Sequence, residues 1–392
     1  MTMRRHRIAY LVSHPIQYQA PLLRYLSAQP DFDLTVFFRS DHSVGSHYDE
    51  GFGKTIDWDV DLLSGYRHEF LPALGRTDLI DHLRPVNYGL ARRLRGRFDA
   101  LWVHGYAPWF NQSALVTAKA MGMVTLVRDE ASALSKQRSP LKTALKRQTF
   151  FRFLNLAVDG YLAIGTLNRR YYEANGAVPE RIFSAPYCVD NDYFQARAEA
   201  SKPHRETFRS GLGLQPGRPI ILYASKLQRR KKPDDLLAAY QRLDSAARPY
   251  LLFVGDGEMR AELEPAASES VRFLGFRNQS ELPAFFDLCD LFVLPSVAEP
   301  WGLIVNEVMC AGKPVVVSDE VGCAPDLVKD GVNGFVFPAG DVPALARCLT
   351  ALTADTAQCR AMGEASRAIV GSWGIPEVAD GLRRALTSLA KH

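Results

Sequence analysis

The chain has 392 residues, 47% of them apolar, and a formal net charge of +4. That length exceeds one ordinary hydrophobic core and fits two domains of roughly 150 to 200 residues each. The composition excludes a disordered or fibrous chain, and the slight positive balance alone supports neither a nucleic-acid nor a membrane partner.

The start, Met-Thr-Met-Arg-Arg-His-Arg, is basic, but the apolar run behind it at 8–12 is too short for a signal-peptide core or a spanning helix. That run reads as a buried strand. A loop follows at 13–18, then an amphipathic helix through Leu22, Leu23 and Leu26, then a strand at 34–38. Further strand-like runs at 100–103, 124–127 and 161–164 alternate with helical stretches at 113–121 and 167–175. Such alternation implies a parallel sheet covered on both faces.

The polar stretch 195–218, with Pro203, Gly211, Gly213 and Pro216, reads as the domain boundary. A second set of strands follows at 219–224, 250–254, 271–274, 291–294 and 315–318. The expected fold class is therefore α/β, with two doubly wound, Rossmann-like parallel-sheet domains facing a cleft. In such sheets ligands bind outside the carboxyl ends of the strands. Six cysteines, Cys188, Cys289, Cys310, Cys323, Cys348 and Cys359, form no C-x-x-C pair and no Cys/His metal spacing. They read as reduced, buried thiols of a cytoplasmic protein.

The most informative segment runs Ser-Val-Ala-Glu-Pro-Trp-Gly-Leu-Ile-Val-Asn-Glu, with seven residues between Glu299 and Glu307. With Glu299 in a loop and Glu307 on the following helix, free amides near Trp301, Gly302 and Leu303 point into the space beside Glu299, where an anion belongs. Eight helical residues cover about 12 Å and leave the two carboxylates roughly 80° apart, badly placed to share a proton or a metal. They suit two polyol ends of one elongated ligand, with a phosphate between. Each carboxylate taken singly could be an ordinary helix-end charge.

Tyr-Ala-Ser-Lys-Leu-x4-Lys-Pro, Val-Gly-Asp-Gly-Glu, Phe-Leu-Gly-Phe, Asp-Leu-Phe-Val-Leu-Pro-Ser, the E-x7-E pair, Ala-Gly-Lys-Pro-Val-Val and Gly-Val-Asn-Gly-Phe-Val-Phe occur in this order over about residues 218–345. In these motifs the chain resembles the retaining glycosyltransferases of the glycogen-synthase-like family 4, of GT-B type. The resemblance implies a donor site for a nucleotide-diphosphate sugar. Lys226 and Lys231 would reach the diphosphate, with Lys232 the rival of Lys231. Glu299 would grip sugar hydroxyls and Glu307 the donor ribose. Backbone at Gly302, Leu303 and Ile304 would meet phosphate and sugar, and Phe276 and Arg277 would frame the base. It also implies retention of anomeric configuration without a protein nucleophile, no cofactor and no required metal, two cations and a helix tip taking the leaving-group charge.

The first half departs from the family. His14-Pro-Ile-Gln-Tyr18 stands where a Gly-Gly loop is common, and Arg128, Asp129 and Glu130 stand where many members have a histidine. Acceptor-side candidates are therefore His14, His104, Arg128, Asp129 and Glu130. Asp59-Val-Asp61 has the spacing of a metal-bound diphosphate site but lies away from any long buried strand. Residues 136–154 mix basic and aromatic side chains, and Arg92, Arg93, Arg95 and Arg97 add a second basic cluster. Both suit an anionic membrane surface or an ordinary amphipathic helix.

The expected domains are 1–200, acceptor-side; 201–370, donor; and 371–392, a helix at 378–389 crossing back to the first. The expected function is glycosyl transfer to a hydroxyl of a glycan or lipid-linked glycan in cell-surface polysaccharide synthesis, at the cytoplasmic membrane face. A nucleotide-sugar epimerase or hydrolase on the same scaffold is the alternative, and no nucleic-acid partner is expected.

Overall fold

The computed structural model describes residues 5–78, 80–135, 147–244 and 248–390. The chain divides into two units, one of residues 1–47, 60–189 and 375–392, the other of 48–59 and 190–374.

The first unit is built on a seven-stranded sheet. Its strand order is Ile182–Ser184, Gly160–Ala163, Val124–Arg128, Ala100–His104, His6–Val12, Phe32–Phe38, Arg67–Phe70, all neighbours parallel. Alternate residues leave opposite faces of a strand. Ile8, Tyr10 and Val12 accordingly enter one apolar cluster with Ala100 and Trp102, while Ala9 and Leu11 enter another with Leu101 and Val103. Two buried faces explain why the central strands read as unbroken apolar runs.

The last helix, Ile375–Leu389, covers the first of these faces with Val378, Ala379, Leu382, Ala385 and Leu386. Gly381 is what lets it come so close, because a Cβ there would sit 1.8 Å from the Ser184 carbonyl oxygen.

The second unit carries six parallel strands in the order Val271–Gly275, Tyr250–Val254, Ile220–Ala224, Leu291–Leu294, Val315–Ser318, Gly334–Phe337. Ile221, Tyr223, Leu251, Phe253, Leu291 and Val293 face one core cluster, and their alternate neighbours are equally buried. All six cysteines are free, and five are buried. Among the described residues no helix is long and apolar enough to cross a membrane.

The structure divides the chain near 190 and not at 200. Helix Asn191–Ser201, capped by Asp190, belongs to the second unit: Phe194 lies 6.3 Å from Phe286 and Asn191 donates to the Val370 carbonyl at 3.0 Å. Arg205, in the stretch read as boundary, donates through Nε to buried Asp287 at 2.8 Å. Residues 48–59 also group with the second unit, which no sequence pattern announced. Within the two large sheets three strands escaped the sequence reading: the polar Arg67–Phe70, the three-residue Ile182–Ser184, and Gly334–Phe337. All three stand at sheet edges, where the apolar signal is weakest.

Candidate donor site and acceptor-side cluster

The donor candidates sit in loops after the carboxyl ends of the second unit's strands. Strand Ile220–Ala224 runs into Lys226 and then a 3-10 turn, Arg229–Lys231. Lys232 takes a left-handed conformation (φ 53°) that turns the chain into a helix opened by Pro233. The turn buries the Lys231 side chain against Glu299, to which its ammonium donates, whereas Lys232 pairs with Asp235 at 3.4 Å. Arg230 adds a second donor to Glu299 at 3.1 Å from a half-exposed position. Burial lowers the Lys231 pKa, Arg230 lowers it further, and the Glu299 carboxylate opposes both.

The loop carrying Glu299 is clamped from below. Glu299 donates its N–H to the Glu320 carbonyl at 3.0 Å, and its own carbonyl accepts from Gly322 at 2.9 Å. A Cβ at Gly322 would lie 1.9 Å from the Pro300 carbonyl oxygen, so only glycine permits this approach. Gly302, at φ 93°, then turns the chain into helix Leu303–Cys310. A Cβ at Gly302 would be 3.7 Å from Glu299 Cγ, which puts the carboxylate beside the helix tip. The first amides of a helix have no intrahelical acceptor, so those of Leu303 and Ile304 are available to an anion there. Trp301 is fixed by a 2.9 Å hydrogen bond from its indole to buried Asn306.

Glu307 is a half-buried residue on this helix, but its Oε2 atom is sealed from solvent and finds no hydrogen-bond partner among the described residues. Burial pushes its carboxyl up to about 8. A buried carboxylate without a donor is costly, so the site suits a ligand that brings hydroxyl donors.

Phe276 follows strand Val271–Gly275 and meets Phe52 edge-on at 4.8 Å. Arg277 turns to Glu281 at 3.3 Å and lies over Phe285. Lys226 is held by Asp49 at 2.7 and 2.9 Å.

The structure thus brings Lys231, Glu299 and the helix tip together. The sequence reading gave Lys231 to the phosphate and Glu299 to the sugar, whereas here the two form one ion pair. Arg230 and Asp49 were missed. Arg230 was hidden in a basic run that reads as a solvated face, and Asp49 in a segment without apolar periodicity.

In the first unit the acceptor-side candidates collect at the carboxyl ends of His6–Val12, Ala100–His104 and Val124–Arg128. His14 meets Ser13 Oγ at 2.9 Å through Nδ1, and its ring is 5.6 Å from His42. Burial, then His42 and His47, lower its pKa to about 4. His104 Nδ1 is buried and finds no partner among the described residues, and burial, then Arg128 and His14, lower the imidazole pKa to about 3. Both imidazoles are therefore neutral at pH 7.

Arg128 is fully buried and donates to the Ala185 and Pro186 carbonyls at 3.2 and 2.7 Å. Those bonds tie strand ends together. Asp129 accepts from the Ala131 amide at 2.7 Å, closing a turn. Glu130 receives the Tyr18 hydroxyl at 3.3 Å and the Tyr187 hydroxyl, and the two phenols also meet. Burial raises both phenol pKa values. Tyr18, which ends the loop standing where a Gly-Gly loop is common, and Tyr187 were not among the candidates, because no sequence spacing joins them to Glu130.

Asp59 accepts from Ser280 at 3.2 Å, while Asp61 caps the amides of Leu63 and Ser64 at 3.0 and 3.1 Å. Neither bond resembles half of a shared metal site. Residues 136–146 of the basic aromatic segment lie outside the described residues. Beyond them Phe151 and Leu154 are core, whereas Phe153 and Leu156 are exposed.

Two parallel-sheet α/β units give the chain the GT-B class of fold. Residues 204–369, within the second unit, match the family model of the group 1 glycosyl transferases. It is 28% identical over 347 residues to a D-inositol 3-phosphate glycosyltransferase of Xylanimonas cellulosilytica, covering 82% of this chain and 81% of that protein. An uncharacterized glycosyltransferase of Methanocaldococcus jannaschii is 36% identical over 137 residues, 33% of this chain and about a third (35%) of that protein's length. Among solved structures, Anabaena HepE in complex with UDP-glucose superposes with a TM-score of 0.69 at 18% identity, covering 98% of this chain and 100% of that one.

Proposed function

We propose that the protein is a retaining, metal-independent glycosyltransferase that moves a sugar from a nucleotide-diphosphate sugar to a hydroxyl of a glycan or lipid-linked glycan. The observation that carries this reading is the convergence of Lys231 and Arg230 on Glu299 beside the tip of Leu303–Cys310, with Glu307 Oε2, which has no partner among the described residues, on the same helix. Glu307 takes the ribose hydroxyls, the helix amides and cations take the diphosphate, and Glu299 takes hydroxyls of the sugar. Phe276 and Arg277 frame the base.

Transfer breaks the bond from the anomeric carbon to the diphosphate oxygen and forms one to the acceptor oxygen on the same face. The acceptor proton passes to the departing diphosphate oxygen. Lys226, Lys231 and Arg230 neutralise charge on that leaving group, the work a metal performs in other transferases. His14, His104 and Glu130, with Tyr18 and Tyr187, receive the acceptor. Neutral imidazoles and phenols suit an uncharged hydroxyl ligand. The exposed Phe153 and Leu156 support docking at a cytoplasmic membrane face, and cell-surface polysaccharide synthesis is the role this implies.

Thermal unfolding with UDP, GDP, ADP and TDP tests the donor site. One of them raises Tm by a few degrees, and Lys231→Met removes the rise. Stabilisation by none, or an undiminished shift in Lys231→Met, contradicts the reading. Turnover of the matching nucleotide sugar requires an acceptor. Consumption without one favours an epimerase or hydrolase, and comparing soluble with vesicle-borne glycan tests the membrane.

A further inference from the structure

Residues 48–59 contain a tight turn that lies on the proposed diphosphate and base groups. Its carboxylate, Asp49, takes both close contacts of the Lys226 ammonium, at 2.7 and 2.9 Å. Three residues on, the Phe52 ring stands 4.7 Å from the same ammonium and 4.8 Å from Phe276. Trp58 adds a second ring 6.2 Å from Phe276, and Lys54 pairs at 2.9 Å with Asp256 in the Val-Gly-Asp-Gly loop. Asn278 donates to the Asp57 carbonyl at 2.6 Å and the Ser280 amide to Asp59 at 3.2 Å, which fastens the far end of the segment.

The turn is shaped for this seat. Asp49 also accepts from the amides of Gly51 and Phe52 at 2.8 and 3.0 Å, so its carboxylate is aimed before it meets the lysine. A Cβ at Gly51 would fall 2.6 Å from Lys226 Cδ and Nζ, so the turn lies directly against the lysine. Burial raises the Asp49 carboxyl, but Lys226 and the two amides outweigh it and hold the group below its usual range.

An anionic group on Lys226 and an aromatic ring on Phe276, joined by a short backbone, reproduce the two ends of a nucleoside diphosphate. We infer that residues 48–59 are a built-in pseudo-nucleotide, which occupies the Lys226 and Phe276 subsites until a nucleoside diphosphate displaces it. The inference rests on the donor-site reading. Lys226 cannot give the same two hydrogen-bonding directions to Asp49 and to a phosphate, so binding proceeds from the fraction of molecules in which the turn has lifted. The segment thereby sets donor affinity and, through Phe52 and Trp58, bears on which base can replace it.

The test is Asp49→Asn, which keeps the turn's shape and removes its charge, with UDP, GDP and ADP as probes in equilibrium titrations. The best-binding nucleotide gains about tenfold or more in affinity, as expected when a competing closed state is depopulated. In the unaltered protein, hydrogen exchange of residues 48–59 speeds up on adding that nucleotide. Unchanged or weaker binding by Asp49→Asn, or slower exchange with nucleotide, overturns the inference. If wild type binds a nucleotide through Lys231 and only these results fail, the donor reading stands without the pseudo-nucleotide. If no nucleotide binds either protein, both fall.

Discussion

Glu307 carries a buried carboxyl oxygen, Oε2, that finds no partner among the described residues. Its carboxyl is raised by burial to about 8 from an ordinary value near 4.5. A raised acid contributes stability that is fully present below the ordinary value and is lost as pH rises through the raised one. A ribose diol donating to the ionised form reverses that penalty. Nucleotide binding therefore strengthens between about pH 6 and 8 and releases a proton near pH 7. Calorimetry in two buffers of different ionisation enthalpy reads this directly. The release is absent in Glu307→Gln, and proton uptake by the unaltered protein contradicts the assignment. Glu307 was legible in the sequence from its spacing to Glu299. Its lack of a partner was not, because desolvation depends on what the fold stacks around the helix. For the same reason Arg230 was invisible: a run of basic residues does not say which member turns inward.

At the scale of elements, the buried strands were the legible part. Residues 8–12, 100–103, 250–254 and 291–294 are apolar on both faces because helices cover both faces, and the structure places strands at each. Edge strands such as Arg67–Phe70 carry no such run. The last helix shows how one residue sets a packing distance. Gly381→Ala puts a methyl into the Ser184 carbonyl, and overpacking of this kind costs about 1 to 3 kcal/mol. Urea denaturation should show the first unit losing that stability. An unchanged midpoint would mean the helix can slide away at no cost. The exposed Gly340, where a Cβ meets nothing within 4 Å but φ is 80°, makes a control for backbone strain alone.

For the whole molecule, sequence signal is unequally divided. The motifs at 218–345 and the family match at 204–369 fall in the second unit, where the proposed donor site would constrain backbone and side chains together. In the first unit the candidates His14, His104 and Glu130 stand at strand ends and in loops, and loops can serve different acceptors on the same sheet. The division near 190 was hard to read because helix Asn191–Ser201 is polar along much of its length and declares its side only through Phe194 and Asn191. The measurement that tests the central claim most directly is a crystal structure with the stabilising nucleoside diphosphate bound. Diphosphate oxygens are expected within about 3 Å of Lys231 Nζ and the Leu303 and Ile304 amides, with the ribose hydroxyls on Glu307. A nucleotide seated elsewhere, with Lys231 still closed on Glu299 and Glu307 still alone, contradicts it.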